Sequence, residues 1–144
     1  NEAYMNTGGQ RSGSTPLGAN TATTPVGGGA KGEDRPKKDM LRIVAAHNIP
    51  YAASASIGYP ADYIRKLEKA VKAGGPAYIQ VLTPCPPGWG YRSDLTVHLA
   101  RLAVQAGQWV LAEYEEGTWR VKEVANPRPV RDYWALQKRF AHLL

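Results

Sequence analysis

The residues whose types suit cofactor chemistry stand at the start of the sequence, in Asn1-Glu2-Ala3-Tyr4-Met5-Asn6-Thr7-Gly8-Gly9-Gln10. Two asparagine amides, Asn1 and Asn6, lie five residues apart and are followed by Thr-Gly-Gly. Oxygen ligands and flexible backbone N–H groups suit a hard cation and a diphosphate. The same composition is typical of a solvated surface loop, so this run alone leaves both interpretations open.

The second candidate is Cys85, the only cysteine, within Thr83-Pro84-Cys85-Pro86-Pro87-Gly88-Trp89-Gly90. The prolines stiffen the loop, and the N–H groups of Gly88, Trp89 and Gly90 could point at an anion or a sulfide cluster. A lone cysteine is more often a small buried apolar side chain. It also excludes an internal disulfide, fits a reducing compartment and excludes a metal site built from this chain's cysteines alone.

Other chemistry has little support in the sequence. The three histidines, His47, His98 and His142, are too far apart to predict a metal site. We find no nucleophile elbow, Walker loop, dinucleotide fingerprint or apolar run of membrane-spanning length. The net charge of +6 favours acidic partners. The basic residues of the second predicted helix, Arg65, Lys66, Lys69 and Lys72, are interpreted as a solvated face.

Residues 1–36 contain eight of the 15 glycines and three prolines, which predicts a long loop wrapped over another part of the molecule. A disordered linker is the alternative. Leu17, Ala19 and Val26 argue against it, because a linker has little use for apolar side chains.

Residues 37–106 alternate between helical and strand patterns. A helix from about Lys38 ends before Ile49-Pro50, and Tyr51–Ala55 is a short buried strand. Pro60 begins a helix with an apolar stripe, and Ala77–Leu82 resembles strands that parallel sheets bury on both faces. A third helix begins at Ser93 and ends at Gly107. The order predicts an α/β layer, with Cys85 at the carboxyl end of a strand, where such sheets bind ligands.

Residues 107–144 have a different pattern. Segments 109–114 and 118–124 predict a hairpin around Glu115-Glu116-Gly117, and Val130 to Phe140 predict a short amphipathic helix.

Four separated motifs carry a resemblance to a known family. They are the run from Asn1 to Pro16, Ala46-His47-Asn48-Ile49-Pro50-Tyr51, Thr83-Pro84-Cys85-Pro86-Pro87-Gly88-Trp89, and Arg128-Pro129-Val130-Arg131-Asp132-Tyr133 with Gln137-Lys138-Arg139-Phe140. Together they resemble the thiamine-diphosphate-binding β subunit of the pyruvate:ferredoxin (2-oxoacid:ferredoxin) oxidoreductases, over essentially all 144 residues.

The resemblance implies the thiamine-diphosphate-binding α/β fold, with a mainly parallel sheet, helices on both faces and a small C-terminal hairpin and helix extension. It also implies that this sequence corresponds to the C-terminal half of the subunit. We expect residues 1–36 to form the cofactor-site loop and its wrap, 37–106 the α/β part and 107–144 the extension.

The resemblance also implies roles for individual residues. The Asn1 side chain and the Ala3 backbone carbonyl would bind Mg²⁺, and Thr7 and Gly8 would follow the cofactor. Asn6 would lie near the reactive part of the thiamine and bond to the substrate. Cys85 would be one ligand of a 4Fe–4S cluster. An Asp in a Gly-Asp-Gly motif and three further cysteines are expected outside these residues.

The implied activity is the oxidative decarboxylation of a 2-oxoacid, pyruvate by preference, to acetyl-CoA and CO2, with electrons passing through 4Fe–4S clusters to ferredoxin. The implied partners are the remainder of the β subunit, other subunits, ferredoxin and coenzyme A. The implied location is the cytoplasm, and neither nucleic acid nor a membrane is an expected partner. We expect no activity from the chain alone. Oxalate or another 2-oxoacid as substrate, a non-catalytic anion-binding scaffold and a basic nucleic-acid-binding module are the alternatives.

Overall fold

The structure, a computed structural model, describes residues 1–144 and contains six strands and five α-helices. In chain order these are β1 (Val26–Gly27), β2 (Ala30–Lys31), α1 (Met40–Ala45), β3 (Tyr51–Ser56), α2 (Pro60–Lys72), β4 (Ala77–Leu82), α3 (Pro86–Trp89), α4 (Thr96–Gln105), β5 (Ala112–Glu115), β6 (Thr118–Val121) and α5 (Val130–Trp134). Turns of 3₁₀ helix cover Ser93–Leu95 and Lys138–Leu143. No helix combines the length and the apolar character that crossing a bilayer requires.

The main sheet has four strands in the order β4-β3-β5-β6. The predicted α/β class is confirmed, but the sheet is mixed rather than mainly parallel. Strands β3 and β4 are parallel, whereas β5 is antiparallel to both β3 and β6. Glu116 and Gly117, both at positive φ, form a two-residue turn that folds β6 back along β5. The hairpin predicted as an extension therefore continues the main sheet.

Helices lie on both faces of this sheet, as predicted. Successive side chains of a strand point to opposite faces. Tyr51 and Glu113 share the face on which α2 lies, because Arg65 of α2 bonds to Glu113. Ala52 points to the other face, where it packs with Leu41 of α1.

The predicted bounds of helices and strands are most accurate where they depend on residues adjacent in sequence. Strand β4 covers the predicted residues, Ala77–Leu82. The C-terminal helix, predicted to reach Phe140, ends instead at Trp134. The Gln137 side-chain amide donates to the Tyr133 carbonyl at 2.8 Å. That carbonyl is the one that the Gln137 backbone N–H would use if the helix continued.

Residues 1–36 form loops and the short β1–β2 pair, and they are bonded to the rest of the chain. Gly18 N–H donates to the Glu33 carbonyl, and Asn20 N–H donates to the carbonyl of Arg139 at 2.8 Å. Ala19 is fully buried, whereas Leu17 and Val26 are exposed. Only one of the three apolar residues that argue against a linker therefore enters the core.

The main core surrounds α4 and lies beneath the loops that carry the candidate residues. It joins α4, the end of β4, α3 and the C-terminal segment. Its buried members are Ala19, Leu82, Trp89, Leu99, Leu102, Ala103, Val104, Trp109, Leu111, Tyr133 and Phe140.

Helix α2 turns its charged side, not its apolar side, toward the sheet. Lys66 is only 1% exposed, so its interpretation as part of a solvated face is wrong. Its ammonium lies 2.7 Å from the Asp62 carboxylate and donates to the Ser54 carbonyl of β3. The apolar stripe predicted for this helix leaves Leu67 41% and Val71 87% exposed.

The reason for this orientation is the carboxylate of Glu113, which is buried in β5. It accepts hydrogen bonds from the Tyr51 hydroxyl at 3.0 Å and from Lys69 Nζ at 2.9 Å, and a third from Arg65. Burial acts to raise the pKa of Glu113, but the hydrogen bonds from Arg65, Lys69 and Tyr51 outweigh it and lower the pKa to about 2. A buried charge of this kind requires cations from the helix above it.

We predict that Glu113 makes stability depend on pH in the acid range. Its pKa falls from 4.5 when unfolded to about 2 when folded. Its contribution, roughly 3 kcal/mol, is therefore fully present above pH 4.5 and is lost as the pH falls through about 2. Urea unfolding at a series of acid pH values should show this loss, and Glu113→Gln should flatten that part of the profile.

The control variant is Glu116→Gln, in the exposed hairpin turn. Its free energy of unfolding should change with pH as steeply as that of the unmodified protein. Parallel profiles for the unmodified protein and Glu113→Gln would contradict the low pKa of Glu113.

Candidate functional site

The first loop forms a closed turn. Tyr4 N–H donates to the Gln10 carbonyl at 3.0 Å, and Gln10 N–H donates back to the Tyr4 carbonyl at 3.2 Å. Gly8 and Gly9 have φ values of 101° and 73°, which favour glycine and let the chain reverse between the two bridged residues. The turn places Asn6 at an exposed tip.

The second loop follows β4 and passes through Cys85 into α3. Pro86 begins this short helix, and Gly90 ends it with a φ of 71°. Trp89 is 1% exposed, and its indole N–H donates to the Asn1 carbonyl at 2.7 Å. The two motifs, 88 residues apart in sequence, are therefore in direct contact.

Gly88 allows the two loops to approach closely. A Cβ atom at this position would clash with Met5 Sδ and would lie 3.3 Å from Cys85 Sγ. The Met5 side chain therefore occupies the space beside Gly88 and next to the cysteine.

Two cavities flank the first loop. One, of about 460 Å³, brings Gly8 and Cys85 together. The other, of about 420 Å³, is lined by Asn1 and Ala3. Asn6 and Thr7 line neither cavity. The remaining lining residues are Met5, Gly9, Asn20, Thr21, Ala22, Pro87 and Gly88 in the first, and Glu2, Tyr4, Ser12, Gly13, Ser14, Lys38 and Met40 in the second.

Several backbone donors that the sequence suggests for an anion are already used. Gly8 N–H donates to the Met5 carbonyl and Gly9 N–H to that of Tyr4. Trp89 N–H donates to Cys85 and Gly90 N–H to Pro86. The expectation that Trp89 and Gly90 present N–H groups to a ligand is wrong, because the turn of α3 consumes them.

Glu2, which the sequence reading missed, fixes the position of the first loop. It is 6% exposed and has a φ of 60°, a strained value for a residue with a side chain. Its carboxylate lies 2.5 Å from Lys37 Nζ and 2.9 Å from Arg139 Nη2, and its carbonyl accepts from Thr15 Oγ1. Glu2 thereby holds the two predicted metal ligands, Asn1 and Ala3, on either side of it.

Arg139, also missed, is the partner that joins this loop to the C-terminal segment. It is 5% exposed, and its other hydrogen bonds go to the Gln137 amide oxygen and the Tyr133 hydroxyl. Burial raises the pKa of the Tyr133 phenol, which keeps it neutral. The guanidinium also lies 3.5 Å from the centre of the Trp89 ring, a cation–π contact. In the sequence, Glu2 and Arg139 stand out only as two charged residues within the motifs that carry the family resemblance.

The donor sets fit the groups that the resemblance implies. Asn1 and Ala3 line one cavity, and an asparagine amide oxygen and a backbone carbonyl are hard donors of the kind that Mg²⁺ prefers together with phosphate oxygens. Cys85 is a free, half-buried thiol. No group of three or more His, Cys, Asp or Glu side chains in the chain could hold a metal ion. A 4Fe–4S cluster takes four thiolates, so Cys85 would be one ligand at most.

We predict that losing Arg139 strongly destabilises the protein. Arg139→Met leaves the Glu2 carboxylate buried with one cation fewer, which should cost about 3 to 5 kcal/mol in urea unfolding. The matched control, Arg128→Met, breaks an exposed ion pair with Asp132 and should cost less than about 1 kcal/mol.

The double variant Glu2→Gln with Arg139→Met should recover part of the loss, because it removes the unpaired charge. Equal costs for Arg139→Met and Arg128→Met would contradict the role given to the buried pair.

Comparison with known proteins identifies the family of the chain. The family model described as thiamine pyrophosphate enzyme, C-terminal TPP binding domain, matches residues 1–81. The chain is 54% identical over 144 residues to pyruvate synthase subunit PorB of Methanocaldococcus jannaschii, covering 99% of this chain and 48% of that protein. It is equally similar to PorB of Methanothermobacter thermautotrophicus, covering 99% of this chain and 50% of that protein.

A further relative is ketoisovalerate oxidoreductase subunit VorB of Pyrococcus furiosus, with 50% identity over 146 residues, or 99% of this chain and 47% of that protein. The chain thus spans about half the length of the curated relatives it matches. These identities confirm the resemblance drawn from the four motifs. Because the family model matches more than half of the chain, the protein belongs to the thiamine pyrophosphate enzymes and carries their C-terminal TPP binding domain.

Proposed function

We propose that the chain is the cofactor-binding part of a 2-oxoacid:ferredoxin oxidoreductase that decarboxylates pyruvate and transfers the acetyl group to coenzyme A. The observation that carries this proposal is the contact between the two loops, in which the Trp89 indole bonds to the Asn1 carbonyl. This contact puts a loop suited to a metal diphosphate beside the loop that carries Cys85. An enzyme that passes electrons from a thiamine-bound substrate to an iron–sulfur cluster needs these two sites to be adjacent.

The first loop would hold the cofactor. The Asn1 side-chain oxygen and the Ala3 carbonyl would bind Mg²⁺, and Gly8 would lie along the cofactor. Bound thiamine diphosphate supplies the carbanion sink that decarboxylation of a 2-oxoacid requires. Thr7 Oγ1 contacts the Tyr4 carbonyl and the Gln10 side chain, so it would stabilise the turn. Asn6, exposed at the tip, would orient the substrate by hydrogen bonding.

The second loop would hold the electron acceptor. The Cys85 thiolate would be one ligand of a 4Fe–4S cluster, with the other three cysteines supplied from outside these residues. The relatives are named as subunits, which supports a multi-subunit assembly. Its further partners would be ferredoxin and coenzyme A. We place the enzyme in the cytoplasm, where thiols stay reduced.

A branched-chain 2-oxoacid is the second candidate substrate, because one relative at 50% identity is a ketoisovalerate oxidoreductase subunit. Assays of the assembled enzyme with pyruvate, 2-ketoisovalerate and oxalate separate the possibilities. The highest kcat/KM with pyruvate supports our choice. A preference for another 2-oxoacid overturns the substrate and keeps the reaction class, whereas no ferredoxin reduction with any of them overturns the class.

We predict that Cys85→Ser in the assembled enzyme removes the iron of one 4Fe–4S cluster. Ferredoxin reduction should fall by at least about 100-fold, because the cluster loses a thiolate, while thiamine diphosphate content stays unchanged. Iron analysis, the electron paramagnetic resonance of the reduced clusters and cofactor content report these effects. The control, Pro87→Ala, keeps the thiol, and unchanged iron in Cys85→Ser would rule out the ligand role.

We predict that Asn1 and Asn6 act in different steps. Asn1→Ala should weaken binding of thiamine diphosphate with Mg²⁺ by about 10- to 100-fold, because the metal loses an oxygen ligand. Asn6→Ala should leave that affinity unchanged and lower kcat. Titration calorimetry gives the affinities, and steady-state assays give kcat. Equal affinities for Asn1→Ala and the unmodified enzyme would exclude Asn1 as a metal ligand.

A further inference from the structure

Met5 lies between two exposed residues of the first loop but is itself turned inward. Tyr4 is 62% exposed and Asn6 is exposed at the tip of the turn, whereas Met5 is half-buried. The Met5 side chain packs against the main core, as does that of Cys85. The turn thus inserts a large apolar side chain into the protein instead of leaving it in water.

Gly88 brings the Met5 side chain next to the Cys85 sulfur. A Cβ atom on Gly88 would clash with Sδ and Cε of Met5 and would lie 3.3 Å from Cys85 Sγ. The two sulfur-containing side chains therefore meet at the same glycine. Both also line the cavity of about 460 Å³ that contains Gly8. The thioether and the thiol thus border the same space between the two loops.

The glycine at position 88 has a packing reason and not a backbone reason. Gly88 lies within α3, and its φ is outside the left-handed region that favours glycine. Glycine inside a helix is less stable than alanine. The space that its missing Cβ leaves is occupied by Met5, so this contact between the loops is what the glycine allows.

A methionine beside a thiolate excludes water without offering a hydrogen bond. Its side chain is unbranched, polarisable and apolar, and it carries no donor. Water next to a ligand sulfur donates hydrogen bonds to it and raises the local dielectric, and both effects favour the reduced, more negative form of an iron–sulfur cluster. An apolar cover over the sulfur therefore lowers the reduction potential.

We propose that Met5 is a positioning residue that shields the Cys85 sulfur from water and thereby keeps the reduction potential of its cluster low. The first loop, expected to hold the cofactor, would then also set the potential of the electron acceptor beside it. The effect on a cluster rests on the proposed function, because it requires Cys85 to be a ligand. The cover over the sulfur does not.

The test measures the midpoint potential in the assembled enzyme, by a redox titration followed with electron paramagnetic resonance. The relevant cluster is the one whose signal Cys85→Ser removes. Met5→Ala should shift its midpoint to a more positive value and speed the release of its iron to a water-soluble chelator at least about tenfold. Met5→Leu keeps the apolar volume and should match the unmodified enzyme in both measurements. Met5→Val, with a smaller shift in the same direction, serves if Met5→Ala does not assemble.

Gly88→Ala tests the same contact from the other loop. The added methyl group should displace the Met5 side chain and shift the midpoint in the same direction as Met5→Ala. In the double variant the methyl group enters the space that Met5 has left, so Gly88→Ala should add little to the shift of Met5→Ala. This lack of additivity is expected of two residues in direct contact.

Leu136→Ala controls for a general loosening of the core. Leu136 also packs against the main core but does not line the cavity beside Cys85. Its truncation should lower stability and leave the midpoint and the iron release unchanged. An unchanged midpoint in Met5→Ala, or an equal shift in Leu136→Ala, would overturn the proposal, because either result gives Met5 a packing role alone.

Failure of the proposed function gives a different result. If Cys85→Ser loses no iron, Cys85 is not a ligand, and the effect on a cluster potential is overturned with the ligand role. The Cys85 thiol is then free, and its alkylation by iodoacetamide in the assembled protein, read by peptide mass spectrometry, measures the cover. Alkylation at least about tenfold faster in Met5→Ala than in the unmodified protein supports the cover, and equal rates overturn it.

Discussion

The arrangement of both loops depends on one buried ion pair, between Glu2 and Arg139. Removing two charges from water costs several kcal/mol per ion, and their attraction offsets this only when the remaining donors and acceptors are satisfied. Lys37 also donates to the Glu2 carboxylate, and Tyr133 and Gln137 accept hydrogen bonds from Arg139. The same contacts hold Glu2 at a φ of 60°, a conformation that costs on the order of 1 to 3 kcal/mol. The strained residue is therefore held by Arg139, Lys37 and Thr15.

A second buried network shapes the α/β layer in the same way. Glu113 in β5 and Lys66 in α2 each bring a charge under the helix. Glu113 is matched by Arg65 and Lys69 of the facing helix, and Lys66 by Asp62 of its own helix. The cost of burying Glu113 selects which side of α2 faces the sheet. The apolar side is left exposed. In both networks a polar contact sets the orientation, and apolar packing follows from it.

Local pattern was enough to predict the class, the bounds of β4 and the start of α2 at Pro60, because these depend on residues adjacent in sequence. The face that α2 buries depends on Glu113, more than 40 residues away, and helical periodicity cannot reveal that. The same holds for the pairing of β5 with β3, which made the sheet mixed, and for Glu2 with Arg139. The motifs predicted Asn1, Ala3 and Cys85 as site residues, and the fold brings their loops together. Which N–H groups stay free could not be predicted, because the turns around Gly8 and Trp89 use several of them.

The separation of Glu2 from Arg139, 137 residues along the chain, also fixes the order in which the protein can mature. Closing so long a loop is slow, because its entropy cost precedes any gain from contacts. During synthesis the sheet can form from residues near one another, whereas the first loop lacks its anchor until Arg139 has left the ribosome. The first loop is thus anchored only after all the residues between it and Arg139 have been made. A cofactor would accordingly load onto that loop only after the segment that carries Arg139 has been made.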